Sequence, residues 1–315
     1  MISIVIPIYN EEENLDNLYS RIVSSAPSWN ESFELLLVDD GSQDSSLKMM
    51  RELAANDDRV KVVKLSRNFG HQPAISAGIQ EAKGDCVIIM DGDLQDPPEE
   101  LHRFLDKWRE GYEVVYAVRT KRKEGFFKKL AYSSFYRMLA WISEVDIPLD
   151  SGDFCVMDRK VVDAIVKQMP EQIRFVRGMR AFVGFKQIGV EYERAERAAG
   201  EVKYTFKKLM QLALDGLFGF STFPLRMATY LGFIIAIPSF LVGFFFVINR
   251  FVGFKVLGYS PDQVPGTTTL TVGMYFLGGI TLIILGILGE YIGRIYIEVK
   301  RRPFFIIDEV IEKKV

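Results

Sequence analysis

Residues 227–247 form a run of 21 without a charged side chain, and residues 267–289 form a second uncharged run. Wound as a helix, the first would extend ~32 Å, enough for a hydrocarbon core of ~30 Å. Lipid offers no water to backbone N–H and C=O groups, so a segment of this kind is confined to a very small set of folds. Pro238 and the glycines between Gly278 and Gly289 would weaken a soluble helix but are tolerated in a membrane. Two transmembrane helices are therefore expected, in preference to helices buried in a soluble core. Lys207, Lys208 and Arg226 precede the first run, and Arg294, Lys300, Arg301 and Arg302 follow the second. The connecting segment carries only Arg250 and Lys255. That bias puts both termini in the cytoplasm. The chain does not open on a basic segment, apolar core and cleavage site, so no secretory signal is expected.

The first 119 residues have a different pattern. Residues 3–9, 33–38, 60–65, 86–90 and 112–118 read as strands, with helical stretches around 12–25, 44–56, 72–82 and 97–110 between them. This alternation predicts an α/β domain with a largely parallel sheet and helices on both faces, which binds its ligand at the carboxyl ends of the strands. Four polar clusters fall on that rim: Tyr9-Asn10-Glu11, Asp39-Asp40-Gly41-Ser42, Arg67-Asn68 and Asp91-Gly92-Asp93. No glycine fingerprint of a dinucleotide enzyme follows the first strand, and no P-loop is present.

Asp91 and Asp93, with Gln95 nearby, follow the apolar run 86–89. Two carboxylates separated by one residue can share a hard cation such as Mg²⁺ or Mn²⁺, which takes its other ligands from water and substrate phosphates. Alternatively, the acidic residues simply cap a helix that starts near Pro97. His71 and His102 have no partner at ligand spacing and read as loop and helix residues. Cys86 and Cys155 are the only cysteines, too few and too far apart for a disulfide scaffold or zinc site. The net charge of −2 gives no pull toward nucleic acid.

In order and spacing, Pro7-Ile8-Tyr9-Asn10-Glu11-Glu12, Val38-Asp39-Asp40-Gly41-Ser42-Gln43-Asp44 and Asp91-Gly92-Asp93-Leu94-Gln95 resemble family 2 glycosyltransferases of the GT-A fold. The resemblance implies a Rossmann-like nucleotide-sugar domain. It assigns base and ribose contacts to Pro7, Tyr9, Glu11 and Asp40, with Asp39 and Asn68 as further candidates. Asp91, Asp93 and Gln95 then surround the diphosphate and its Mg²⁺ or Mn²⁺. Within the family the chain is most similar to polyisoprenyl-phosphate glycosyltransferases, the GtrB-like bactoprenol glucosyltransferases and dolichyl-phosphate mannose synthases. That similarity includes Ser151-Gly152-Asp153-Phe154, Arg174-Phe175-Val176-Arg177-Gly178, Arg197-Ala198-Ala199-Gly200-Glu201-Val202-Lys203-Tyr204 and the two-span tail ending Gly289-Glu290-Tyr291-Ile292-Gly293-Arg294. Glu201 departs from it, standing where many relatives carry a small hydroxyl residue.

The resemblance implies inverting transfer of a hexose from a nucleotide sugar to a polyprenyl phosphate, with UDP-glucose and undecaprenyl phosphate favoured and GDP-mannose the alternative. Asp93 and Asp153 are the catalytic candidates, Asp153 as a base or as a residue that positions the acceptor. Arg119, Arg122, Arg197 and Lys203 are candidates for phosphate contacts, the last two favoured. The expected organisation is a cytoplasmic catalytic domain at 1–200, a juxtamembrane helix at 201–224, two spans with their loop at 225–294 and a cytoplasmic tail at 295–315. The result is an integral protein of the inner or plasma membrane. Homo-oligomers, tetramers among them, are implied by GtrB-like relatives. Two stretches, 127–142 and 204–217, place apolar residues at helical spacing with charged residues off that face, as an interfacial helix or one packed on the catalytic domain or a neighbouring protomer does, the second stretch being the better interfacial candidate because it leads into a span. A processive polysaccharide synthase would carry a Q-x-x-R-W motif, which Gln172-Ile173-Arg174-Phe175 does not match. The remaining alternative is a noncatalytic protein that binds lipid or nucleotide sugar.

Overall fold

The computed structural model describes residues 1–119, 151–171, 174–193, 223–252 and 266–313. The stretches at 127–142 and 204–217, expected as interfacial helices, and residues 253–265 between the two uncharged runs lie outside the described residues. The chain divides into two compact units, one of residues 1–220 and 301–315 and one of residues 221–300.

The first unit is built on one sheet. β1 (Ile2–Ile8), β2 (Phe33–Asp39), β3 (Val60–Leu65) and β4 (Cys86–Ile89) are parallel, in the order β4-β1-β2-β3. α1 (Leu15–Ser25), α2 (Ser46–Asn56), α3 (His71–Glu81) and α4 (Leu101–Arg109) alternate with these strands. β1 is covered on both faces, which explains its near-continuous apolar sequence. Ile4, Ile6 and Ile8 join a core with Leu18, Ile22 and Phe104 of α1 and α4, whereas Val5 joins Ala74, Ile75 and Ala77 of α3 on the other face.

The sheet is mixed, not largely parallel as the first 119 residues predict. Beyond β4 come β6 (Ser151–Asp158), antiparallel to both β4 and β5 (Val114–Arg119), and then β7 (Gln187–Tyr192), parallel to β5. α5 (Arg159–Gln168) and α6 (Val176–Phe182) lie between β6 and β7. The opposite edge is closed by β8 (Ile307–Ile311), antiparallel to β3. Residues 295–315, expected as a tail, thus supply a strand to the sheet. Lys64 with Asp308 (2.6 Å) and Arg51 with Glu309 (2.7 Å) reinforce its attachment.

The second unit contains α7 (Phe223–Val252), with Pro238 inside it, and α8 (Gly266–Lys300). Phe233, Ile234 and Ile237 of α7 and Met274, Leu282 and Ile283 of α8 are exposed. Among the described residues, one helical stretch is long and apolar enough to cross a membrane, Phe276–Lys300. Two spans, as the sequence predicts, are not established by that measure.

Candidate active site

The carboxyl ends of β1, β2 and β4 place three of the four polar clusters side by side. After β1, Asn10 adopts a positive φ of 54° and its backbone N–H donates to Ser42 Oγ (3.1 Å), while its Oδ1 accepts from Gln43 N–H (2.8 Å). Glu11 N–H donates to Ser46 Oγ (2.9 Å). The first two clusters are therefore one hydrogen-bonded surface. Pro7, Tyr9 and Glu11 are half-buried along it, and Glu11 also accepts from Asn14 Nδ2 (2.7 Å).

The adjacent Asp39 and Asp40 do different work. Asp40 accepts backbone N–H groups from Phe69 (2.7 Å) and Gly70 (2.9 Å), pinning the loop from β3 to α3. Burial raises its pKa, and these two bonds only partly oppose the rise. Asp39 uses Oδ1 to accept Ser42 N–H (3.1 Å), whereas its buried Oδ2 has no hydrogen-bond partner among the described residues. Gly41 (φ +73°) permits the close approach of these loops, since a Cβ there would meet Asn68 N at 2.6 Å. Asn68 itself is exposed.

Asp91, Asp93 and Gln95 occupy the loop after β4. Leu94 turns it with a φ of 61°, and Asp93 Oδ1 accepts Gln95 N–H (3.2 Å). Buried Asp96 holds the loop from beneath, accepting from Asp91 N–H (3.4 Å) and from the Tyr192 hydroxyl of β7 (2.7 Å). Two carboxylates and an amide oxygen are hard donors of the kind Mg²⁺ or Mn²⁺ takes. Among the described residues, no three His, Cys, Asp or Glu side chains converge as a complete cage, so a metal here would draw further ligands from substrate.

The antiparallel register of β4 and β6 pairs Ile89 with Cys155; continued by two residues, it sets Asp91 opposite Asp153. Asp153 is buried and surrounded by donors. Arg177 Nε lies 2.7 Å from its Oδ1, while Arg177 Nη2 (3.2 Å), His71 Nε2 (3.2 Å) and Gln72 Nε2 (3.3 Å) surround its Oδ2. Burial alone would raise its pKa, but the Arg177 charge and the bonds from His71 and Arg177 hold it well below the usual carboxylate range. His71 Nε2 is also 3.6 Å from Asp91 Oδ1. Burial works to lower the imidazole pKa, yet the Asp153 hydrogen bond and the charges of Asp91 and Asp153 push it up to about 9. One turn from Arg177, buried Arg180 stacks its guanidinium 5.1 Å from the Tyr116 ring centroid.

The sequence places His71 in a loop; it is instead the first residue of α3 and stands between two candidate site carboxylates. Gln72 and Arg177 also went unassigned. Arg177 lies within the Arg174-Phe175-Val176-Arg177-Gly178 segment, but His71 gives no local signal because its partners come from β6 and the loop after β4. Arg119 ends β5, while Arg122, Arg197 and Lys203 lie outside the described residues.

The family model for glycosyl transferase family 2 matches residues 3–166. An uncharacterized glycosyltransferase of Bacillus subtilis, YkcC, is 47% identical over 98% of this chain and 93% of its own length. A prophage bactoprenol glucosyl transferase homolog of Escherichia coli is 40% identical over 98% and 99%. The bactoprenol glucosyl transferase of Shigella phage SfII is 42% identical over 97% of both chains. With more than half of its residues matched by the family model and with these full-length relatives, the chain belongs to glycosyl transferase family 2.

Proposed function

We propose that the protein transfers a hexose, glucose before others, from a UDP-sugar to a polyprenyl phosphate and inverts the anomeric centre. The observation that carries this reading is the facing pair of unlike half-sites: the Asp91-Asp93-Gln95 loop on one strand end and Asp153, clasped by His71 and Arg177, on the neighbouring strand. Relatives named bactoprenol glucosyl transferase align with 97% of the chain, both halves included.

On the donor side, Asp39 Oδ2 is a buried acceptor suited to a nucleobase N–H, a feature that uracil and guanine share. Asp40 fixes the loop that carries His71. Asp91, Asp93 and Gln95 would hold Mg²⁺ or Mn²⁺, which when bound offsets charge on a leaving diphosphate. On the acceptor side, a phosphate oxygen bonds to the anomeric carbon as the bond from that carbon to the diphosphate breaks. UDP leaves with the electron pair, and a single displacement inverts the centre. A phosphate monoester has a second pKa of ~6 and is mostly dianionic at neutral pH, so this step needs no proton removed.

The acceptor's lipid chain requires a bilayer. Phe276–Lys300 supplies one apolar helix, and α7 carries the other uncharged run. Because β8 belongs to the same sheet as β1–β7, an even number of crossings between residues 220 and 301 fits the fold, which supports two spans. The basic flanks favour the catalytic unit in the cytoplasm. Purified protein in lipid, given undecaprenyl phosphate and a panel of UDP-glucose, other UDP-sugars and GDP-mannose, tests the reading. A glucosyl lipid is expected. Product from GDP-mannose alone would replace the donor assignment, and binding without transfer to any lipid would replace the enzyme by a binding protein.

A further inference from the structure

We propose that His71 and Arg177 form the cradle for the acceptor phosphate and that Asp153 is the positioning residue that holds both. The inference rests on the transferase reading and deepens it, adding two contacts to the lipid-phosphate end of the site.

Accessibility separates the roles of the three groups. The Asp153 side chain is only 6% exposed, whereas Arg177 is 25% and His71 36% exposed. The carboxylate therefore lies behind Arg177 and His71, and an incoming phosphate meets N–H groups first. Asp153 also has four nitrogen atoms within 3.3 Å, distributed over both oxygens. A carboxylate so occupied is a good anchor and a poor proton acceptor. Alone it would repel a dianion; with the Arg177 guanidinium paired to it and the His71 and Gln72 nitrogens facing it, N–H donors are presented in its place.

Position gives the second argument. His71 Nε2 lies between Asp153 Oδ2 and Asp91 Oδ1, at 3.2 and 3.6 Å. If Asp91 marks the diphosphate, the nucleophilic phosphate must approach from beside it to reach the attached sugar carbon. The imidazole stands in that space. Gln72 secures the arrangement through both ends of its amide: Nε2 faces Asp153, and Oε1 accepts Val176 N–H (2.9 Å) at the start of α6. That bond ties the helix bearing Arg177 to the helix bearing His71.

The test uses farnesyl phosphate as a short acceptor probe with the full-length protein in detergent, UDP-glucose and Mn²⁺. His71→Phe and Arg177→Gln should each raise the acceptor KM about ten-fold or more, the scale for losing a charge-assisted hydrogen bond. The Kd for UDP should stay within about two-fold, which also reports that the variants fold. His71→Gln and Arg177→Lys, which keep an N–H donor, should recover part of the loss. Unchanged acceptor KM in the first two variants, or a defect confined to UDP binding, would overturn the cradle. Direct binding of farnesyl phosphate to the UDP-loaded protein keeps the two readings apart. Binding that depends on both side chains but without sugar transfer would remove the transferase reading and leave the cradle standing.

Discussion

Arg177 grips Asp153 side-on, with Nε 2.7 Å from one carboxylate oxygen and Nη2 3.2 Å from the other. The two residues come from different elements, the helix α6 and the strand β6, and Gln72 of a third element completes the junction. A bidentate pair restricts both partners in direction as well as distance. The acceptor half of the proposed site is thus tied together by the chain's own side chains, while the loop of Asp91 and Asp93 is held by Asp96.

That support makes the metal proposal testable without unfolding the site. Asp93 Oδ1 accepts Gln95 N–H, and an asparagine keeps an oxygen there. Asp93→Asn should therefore preserve the melting temperature and UDP binding in the absence of metal. Transfer should fall ~10²- to 10³-fold, the usual loss for one electrostatic stabiliser of a developing charge. Chelation should abolish wild-type transfer, and Mg²⁺ or Mn²⁺ should restore it. Full turnover in chelator would remove the metal from the scheme.

Tyr192→Phe probes the support itself. The hydroxyl donates to the buried carboxylate of Asp96 at 2.7 Å, and Asp96 in turn receives Asp91 N–H. Losing a hydrogen bond to a charged group costs ~1.5–3 kcal/mol. Urea denaturation should show a loss on that scale with an unchanged slope. Transfer should weaken as well, since the loop bearing Asp91 and Asp93 loses its brace. A variant as stable and active as wild type would show that the bond contributes nothing.

The proposed membrane topology can be tested through a strand. β8 pairs with β3 after both long helices, through register partners from Val62↔Ile311 to Leu65↔Ile307. A strand hydrogen-bonded into the catalytic sheet shares its compartment, so residues 301–315 should label from the same side as residues 1–220. An introduced Tyr259→Cys should label from the opposite side. Labelling of that cysteine only from the catalytic side would exclude two spans.

Much of the donor half is legible in sequence because it is local. β1 to β4 are buried apolar runs punctuated by polar ends, and the parallel order puts those ends on one rim. The proposed acceptor half depends on long-range pairing. Asp153 gains its meaning from a register with β4 and from His71, 82 residues earlier in the chain. β8 was missed for another reason: its Asp308 and Glu309 break the apolar pattern, as suits an edge strand whose charges pair with Lys64 and Arg51.

The last prediction concerns Asp153 and pH. Arg177 and His71 depress its folded pKa below the ordinary carboxylate value. A depressed carboxylate contributes stability that is present above its unfolded pKa of ~3.9 and lost as pH falls through the folded pKa. Between pH 5.5 and 8.5 that contribution is constant, so no titration of Asp153 belongs to this window. If the residue only positions Arg177 and His71, the Asp153→Asn defect should persist or deepen as pH rises, because the variant also loses the hydrogen bond and charge that hold the His71 imidazole protonated. A base role predicts otherwise. The acceptor monoanion would then need its last proton removed, and the defect should be worst near pH 5.5 and fade as solution supplies the dianion above its pKa of ~6. Profiles of kcat/KM for wild type and variant at saturating metal, with UDP binding measured at each pH to confirm folding, distinguish the two. A ratio that stays level or falls further at high pH is expected, and a ratio that recovers toward one at high pH would establish Asp153 as the base.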